Sequence, residues 1–318
     1  MMSSATARRG ALGSTGTARR AGRPRTGQAA VGRPGSVWAL PATVFFGLFA
    51  LVPLVATVWM SFVTWGGIGD PRFVGLDNWT RIGQDSLLLK SIGLTVVLVL
   101  LSIAVQTPVS LLLGVWAAGQ QRARAAVVAI WFIPLLLSSA AISVLWRALL
   151  DPNFGIPGSA PWLFGDGNLF GHQGTAIAVL VFVSTWQYTP FHTLIYQGGA
   201  RGIPAVLYQA ASLDGAGMVR QFFSITLPQL KNTVVTSLIL MLVGGLTTFE
   251  TVLILTNGGP GTDTLVSPLY MYQKAFSSFD FGGASVIAVA LVIVATAISL
   301  IVVKFSGYGE MRSQAEGV

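Results

Sequence analysis

The stretch Gln209–Pro228, QAASLDGAGMVRQFFSITLP, separates two long apolar runs, Thr175–Ile195 and Val234–Leu255. It is a polar island rich in small residues, in a chain with little other material outside its apolar runs. Four further runs, Val37–Val63, Ile92–Ala118, Ala125–Leu145 and Ser285–Val303, are long enough to cross a hydrocarbon core about 30 Å thick, which takes roughly 20 apolar residues in a helix. None shows the alternation of a lipid-facing barrel strand. The six runs predict an all-α membrane protein with six transmembrane helices, the island lying between the fourth and the fifth.

Composition agrees. Of 318 residues, 53% are hydrophobic and 9% charged, against about 25% charged in an ordinary soluble domain. The absence of cysteine excludes a disulfide framework, a thiolate metal site and a cysteine nucleophile. With only two histidines, His172 and His192, no metal centre is expected.

The cations set the orientation. Fourteen Lys and Arg flank one side of the six runs, among them Arg8, Arg25, Arg122, Arg201, Arg220, Lys231 and Lys304. Five flank the other: Arg72, Arg81, Lys90, Arg147 and Lys274. The richer side is cytoplasmic by the positive-inside rule, which puts both termini and the island in the cytoplasm of a multi-pass cell-membrane protein. The net charge of +8 then reads as a topology signal and an attraction to membrane lipid. Nucleic acid is not expected as a partner, because the basic tail lacks interleaved aromatics and no basic helix follows it.

Residues 1–36 show no apolar periodicity and are expected to form a disordered basic tail. The first apolar run is too long for a signal peptide, and no small-residue cleavage site closes it, so it is expected to be retained. Outside the spans, Phe73, Leu76, Asn78 and Trp79 cluster in one connection. In another, Asp151, Pro152, Asn153, Phe154 and Gly155 suggest a tight turn. These connections fit either surface loops with burial anchors or a docking surface. Pro53, Pro108, Pro134 and Pro190 fall near the middles of spans, where proline frees a carbonyl that a neighbour or cavity water must satisfy.

Two spans carry polar groups. The fourth holds Trp186, Gln187, Tyr188, Thr189, Pro190, Phe191 and His192. Burying an amide or hydroxyl unpaired costs about 2 to 7 kcal/mol, so these groups face a wet cavity, another helix or an interface belt. Aromatic rings beside hydrogen-bonding groups suit a sugar, whose faces are apolar and whose edges are hydroxyls. The fifth span carries Thr247, Thr248 and Glu250. An ionisable residue within a span points to function, although Glu250 lies only about 10 Å, at helical rise, before the turn at Asn257–Pro260.

In the island, Pro204 suits the first turn of a short helix, which Asp214 and Gly215 break. Asp214 then caps a second helix from about Ala216 to Ile225, ended by Pro228. Ala210, Ala211, Gly215, Ala216 and Gly217 permit close approach, while Val219, Phe222, Phe223 and Ile225 supply an apolar face. Two readings stay open on physics alone: a docking knob, or an amphipathic segment lying on the membrane.

The pattern Gln209, Ala210, Ala211, Asp214, Gly215, Ala216, Phe222, Ile225, Leu227, Pro228 resembles the EAA loop of permease subunits of bacterial binding-protein-dependent ABC importers. Leu255–Pro260 with Tyr270, Tyr272, Ala275, Phe276, Phe279, Gly282, Ala284 and Ser285 is similar to the fifth-to-sixth span region of maltose-type sugar permeases. So is Trp186, Gln187, Pro190, Phe191 followed by Gly202, Ile203, Pro204. The likeness covers Phe73 to Val303 and suggests the first of two unlike permeases. Gln209 stands where the family usually has Glu, and Asn232 where a further proline is frequent.

The resemblance implies a six-helix permease domain over residues 37–305 with a coupling loop at about 200–230 and a cytoplasmic tail at 306–318. It implies that Gln209, Ala210, Ala211, Asp214, Gly215, Ala216, Leu227 and Pro228 engage a cytoplasmic ATPase dimer, and that a second permease and an extracytoplasmic sugar-binding protein complete the importer. Gln187, Tyr188, Phe191, Thr247, Thr248 and Glu250 would line the path of a di- or oligosaccharide. No G-x-x-x-x-G-K-[ST] run is present, so ATP and Mg are expected on the partner ATPase and no catalytic residue or cofactor on this chain. Two other classes are weighed. A proton-coupled secondary transporter would use Glu250 and His192, but internal repetition is not evident. An intramembrane hydrolase would need a partner for His192 that no G-x-S-x-G segment supplies.

Overall fold

Apolar runs become helices because hydrocarbon offers backbone groups no partners but each other. The computed structural model describes residues 36–119 and 122–305, and there the chain is mostly helical. Of the expected tails, residues 1–36 and 306–318, all but Ser36 lies outside the described residues.

The chain divides between Ala50 and Leu51 into two units. The described part of the first holds a 3-10 turn (Ser36–Ala39), helix α1 (Leu40–Phe46) and most of a π turn (Gly47–Leu51). The second opens with α2 (Val52–Met60), which has Pro53 in its first turn, where the missing N–H costs nothing. A two-residue ladder pairs Val63 with Phe73 and Thr64 with Arg72, and α3 (Asp77–Gly83) follows.

Asp85 accepts a hydrogen bond from the Leu87 amide at 3.0 Å. This N-cap starts α4 (Ser86–Ala117) six residues before the apolar run begins. The third expected span is in three pieces, α5 (Arg122–Trp131), α6 (Ile133–Leu136) and α7 (Ser139–Leu149). Pro134 opens α6, and Ser138 caps α7 by accepting from the Ala141 amide at 3.2 Å. Two short turns, α8 (Ile156–Ser159) and α9 (Pro161–Phe164), lead to α10 (Gln173–Arg201).

The island forms α11 (Ala205–Leu213) and α12 (Met218–Gln221), then a π turn (Phe222–Thr226) and α13 (Leu227–Gln229). The chain bends by 69° at Leu230 into α14 (Lys231–Leu246). A break at Thr247–Phe249 leads to α15 (Glu250–Leu255), and α16 (Ser267–Tyr272) with a π turn (Gln273–Ser277) leads to α17 (Phe281–Phe305).

Among the described residues, three helical runs are long and apolar enough to cross a membrane: Leu40–Met60, Ser86–Ala117 and Phe281–Lys304. A fourth qualifies if the pair bent at Leu230 is one span. The other expected spans are present as helix but fall short for identifiable reasons: α5–α7 is interrupted twice, and α10 is long but carries many polar residues.

Helices α4 and α10 pack along each other. At Gly114 a Cβ would lie 2.6 Å from Tyr196 Cβ and 2.8 Å from the Thr193 carbonyl oxygen, so only glycine allows this approach. Small residues play this role at membrane helix contacts generally. Toward the Asp85 end, buried Ile82, Leu88, Ile142, Leu180, Val252, Leu269 and Ile287 bring seven helices into one core. Toward the Ala117 end, the buried cluster among the described residues is Leu111, Tyr196 and Leu230.

Candidate functional site

The break after α14 creates the first site. Gly244, Gly245, Thr247 and Thr248 are weak helix formers in series. The Thr247 hydroxyl donates to the carbonyls of Val243 and Gly244 at 3.1 and 3.0 Å, and that of Thr248 to Gly244 at 3.2 Å. These side chains occupy carbonyls at the end of α14, so the chain turns and restarts at Glu250. Facing the break is a cavity of about 610 Å³ between α4, α6–α7, α10 and α14.

Five of the six expected pathway residues line this cavity: Tyr188, Phe191, Thr247, Thr248 and Glu250. Gln187 does not. It is buried, and its Nε2 lies 3.3 Å from Ser139 Oγ and 3.4 Å from the Leu137 carbonyl, at the gap between α6 and α7. Neighbours on a helix point about 100° apart, so Gln187 joins helices while Tyr188 meets the cavity. Ser139 also hydrogen-bonds the Tyr188 hydroxyl at 2.7 Å.

The cavity also gathers residues outside the expected set. Gln106 and His192 line it, each about 5% exposed or less. His192 Nδ1 lies 2.9 Å from Ser237 Oγ, which orients the ring. Ser102 and Ser184 complete the polar wall. A sequence signal for this wall exists on α4: Ser91, Thr95, Ser102, Gln106 and Ser110 recur at steps of four and seven, one face of a helix. Apolarity of the run as a whole obscures it. At its upper end, the Ser267 amide donates to Thr95 Oγ1 at 2.9 Å.

The second site is the island. Helix α11 ends in a Schellman arrangement: the Gly215 amide bonds the Ser212 carbonyl at 3.1 Å and the Ala216 amide the Ala211 carbonyl at 2.8 Å. Gly215 takes φ +75°, which disfavours any other L-residue. Asp214 therefore closes the first helix and does not cap the second, which starts at Met218 after Gly217. Nor does Pro228 end it: the helical path runs through Pro228 to the bend at Leu230. Gln221 Nε2 donates to Ser212 Oγ at 3.0 Å and to the Ala216 carbonyl at 2.8 Å, clamping the two arms.

The island's surface follows. Gln209, Ala210, Asp214, Gly215 and Pro228 are exposed, and Ala211, Ala216 and Leu227 are half-buried. Leu213 and Met218 are 90% and 87% exposed. Val219 and Phe223 are also exposed, whereas Phe222 packs against the cluster of Leu111, Tyr196 and Leu230. The expected apolar face thus divides, one part holding the island on the body and the other turned outward.

At the opposite end, four cations are tied to neighbours. Arg81 binds Asp280 through two nitrogens at 2.7 and 3.0 Å, Lys90 meets Asp263 at 2.7 Å, Lys274 meets Asp85 at 3.3 Å, and Arg147 reaches the Ile254 carbonyl at 2.5 Å. The Tyr270 hydroxyl donates to Asp85. Burial pushes the Asp85 carboxyl up, but the bonds from Tyr270, Leu87 and Lys274 outweigh it and hold the group below its ordinary range. Asp280 behaves alike, burial being outweighed by Arg81 and the Gly283 amide. Asn78 and Trp79 are anchors here, Asn78 donating to the Ser61 and Val63 carbonyls at 3.1 and 2.9 Å, while Phe73 and Leu76 are exposed. Asp151 forms the expected turn, its Oδ1 accepting from the amides of Asn153 and Phe154 at 2.8 and 3.0 Å.

Apolar helices around a cavity that carries hydrogen-bonding groups, with a structured knob at one end, define a membrane transport subunit. Residues 110–307 match the family model described as "Binding-protein-dependent transport system inner membrane component", and the chain belongs to that family. A probable ABC transporter permease protein of Bacillus subtilis is 30% identical over 86% of this chain and 96% of its own length. The permease protein of a diacetylchitobiose uptake system of Streptomyces coelicolor is 30% identical over 93% and 90%. That of a trehalose/maltose transport system of Thermococcus litoralis is 29% identical over 85% and 92%. In fold, the chain is similar to a bacterial ABC transporter involved in import of the acidic polysaccharide alginate, with TM-score 0.75 and 22% identity over 86% of this chain and 95% of that one. The protein is therefore an inner-membrane permease subunit of an ABC importer and not an enzyme, ATP hydrolysis belonging to a separate subunit. The proton-coupled alternative is not favoured.

Proposed function

We propose that this chain carries a di- or oligosaccharide across the cell membrane by alternating access. The cavity lined by Tyr188, Phe191, Thr247, Thr248 and Glu250 carries the reading, because its rings and hydrogen-bonding groups suit a sugar's faces and edges. Its volume of about 610 Å³ falls in the range of roughly 300–1,000 Å³ usual for small-molecule sites. The names of the relatives from Streptomyces and Thermococcus support a saccharide.

Six spans make up the permease domain: α1–α2, α4, α5–α7, α10, α14–α15 and α17. Both termini and the island face the cytoplasm. The island couples the chain to an ATPase dimer through Gln209, Ala210, Ala211, Asp214, Gly215, Ala216, Leu227 and Pro228. ATP and Mg reside on that ATPase, this chain holding no cofactor. A second permease completes the cavity, and an extracytoplasmic binding protein delivers the sugar to the opposite face.

The test is purification of the detergent-extracted full chain with whatever accompanies it, followed by reconstitution. An ATPase and a second permease are expected in the preparation, with ATP turnover raised by the sugar-loaded binding protein. A chain that purifies alone and takes up sugar on a proton gradient would overturn the proposal.

A further inference from the structure

The charge of the cavity wall has a consequence for the substrate. Among the described residues, no Lys or Arg lines the cavity, and Glu250 is the one carboxylate that does. Glu250 is exposed and forms no ion pair among the described residues. Arg147, on the helix α7 that packs against α15, is engaged by the Ile254 carbonyl. The remaining polar groups, Gln106, Tyr188, His192, Thr247 and Thr248, suit hydroxyls.

We infer that Glu250 makes the cavity a filter against acidic saccharides, so that the carried substrate is an uncharged or amine-bearing glycan. This rests on the cavity being the translocation path. A sphere of the cavity's volume has a radius of about 5 Å, so any anionic group inside stands within about 10 Å of the carboxylate, about one Debye length at ordinary salt, where two charges still act on each other. A uronate, sulfonate or phosphate would meet repulsion there with no cation to offset it. The acidic polysaccharide of the structural neighbour would be such a misfit.

The chain has no cysteine, so a single introduced thiol reports the local potential without knowledge of the sugar. Thr247→Cys is made in the purified full complex and reacted with two methanethiosulfonates of similar size, one a quaternary ammonium and one a sulfonate. The ratio of cation to anion rates is compared with that in a Thr247→Cys, Glu250→Gln background, which cancels the reagents' intrinsic difference. Tyr188→Cys repeats the measurement from α10. The ratio is expected to fall on the order of tenfold when Glu250 is neutralised. An unchanged ratio would overturn the filter while leaving the cavity as the path. So would a ratio favouring the anion with Glu250 present, since a cation from another subunit would then dominate. Thiols at both positions that react with neither reagent would overturn the path itself, and the filter with it.

Discussion

The two ends of the helical body are held together by different means. At the Asp85 end, seven helices share one apolar core among the described residues, and Arg81, Lys90, Lys274 and Arg147 each bind a partner distant in sequence. At the Ala117 end, three buried residues make the core among the described residues. Arg201, Arg220 and Lys231 form no ion pair among the described residues, and Leu213 and Met218 stand almost bare. An end that buries its own apolar surface is rigid without help. One that presents apolar side chains on an ordered corner is completed by something else, and in the proposed function that is the ATPase.

The substitution that most directly breaks this contrast is Gly215→Asp. It places an L-residue at φ +75°, which costs about 1 to 2 kcal/mol, and sets a second carboxylate beside Asp214. The corner is exposed and can relax to another shape, so the melting temperature of the extracted chain is expected to stay nearly unchanged, while uptake by reconstituted complex falls by roughly tenfold or more, about 1.4 kcal/mol against the native corner being a decade in its population. Uptake at the normal rate would show that the corner's shape is irrelevant to coupling.

Asn78→Ala attacks the other end. The side chain is buried and donates to two carbonyls, of Ser61 and Val63. Leaving buried acceptors unpaired costs about 1 to 3 kcal/mol. Thermal unfolding in detergent is expected at lower temperature, with uptake per folded complex retained. A loss of uptake without loss of stability would reverse the roles assigned to the two ends.

Between the ends lies the cavity, where Gln106 and Gln187 form a controlled pair. Both are buried amides on the long helices α4 and α10, but Gln106 lines the cavity and Gln187 faces the gap between α6 and α7. Gln106→Leu is expected to raise KM for sugar uptake severalfold at unchanged stability. Gln187→Leu is expected to leave KM alone and to move stability by less than about 1 kcal/mol, because its contacts are at the long limit for hydrogen bonds. Equal effects on KM would mean that the rotation of α10 is not the one described.

That pair also marks what the sequence disclosed. Apolar runs announced α4, α10 and α17, since length and hydrophobicity are local properties. The break before α6 was announced by Pro134, but the one after α14 was not: nothing in the spacing of Thr247 and Thr248 shows that their hydroxyls take the carbonyls of Val243 and Gly244. Nor was the facing of Gln187, because a helix with polar residues on several sides has no rotation fixed by pattern alone. The α4 stripe containing Gln106 was legible as spacing but hidden by the run's overall apolarity. At the island, an Asp followed by Gly suits both the start of one helix and the end of another. The Gly215 conformation decides for the end.

The mildest test uses acid. Asp85 and Asp280 are held below the ordinary carboxylate range in the folded chain, burial being outweighed by the donors around each. A group with a lowered folded pKa contributes its stability fully above the unfolded value, near ~3.9 for Asp, and loses it as pH falls through the lower, folded value. Both carboxylates sit at the Asp85 end, so the melting temperature in detergent is expected to decline below about pH 4, and Asp85→Asn is expected to flatten part of that decline. Asp280→Asn is expected to flatten a further part, since Arg81 and the Gly283 amide hold that carboxylate at the same end. If both variants left the decline as steep as before, these carboxylates would not be what binds their end together, and the contrast between the two ends would lose its chemical basis.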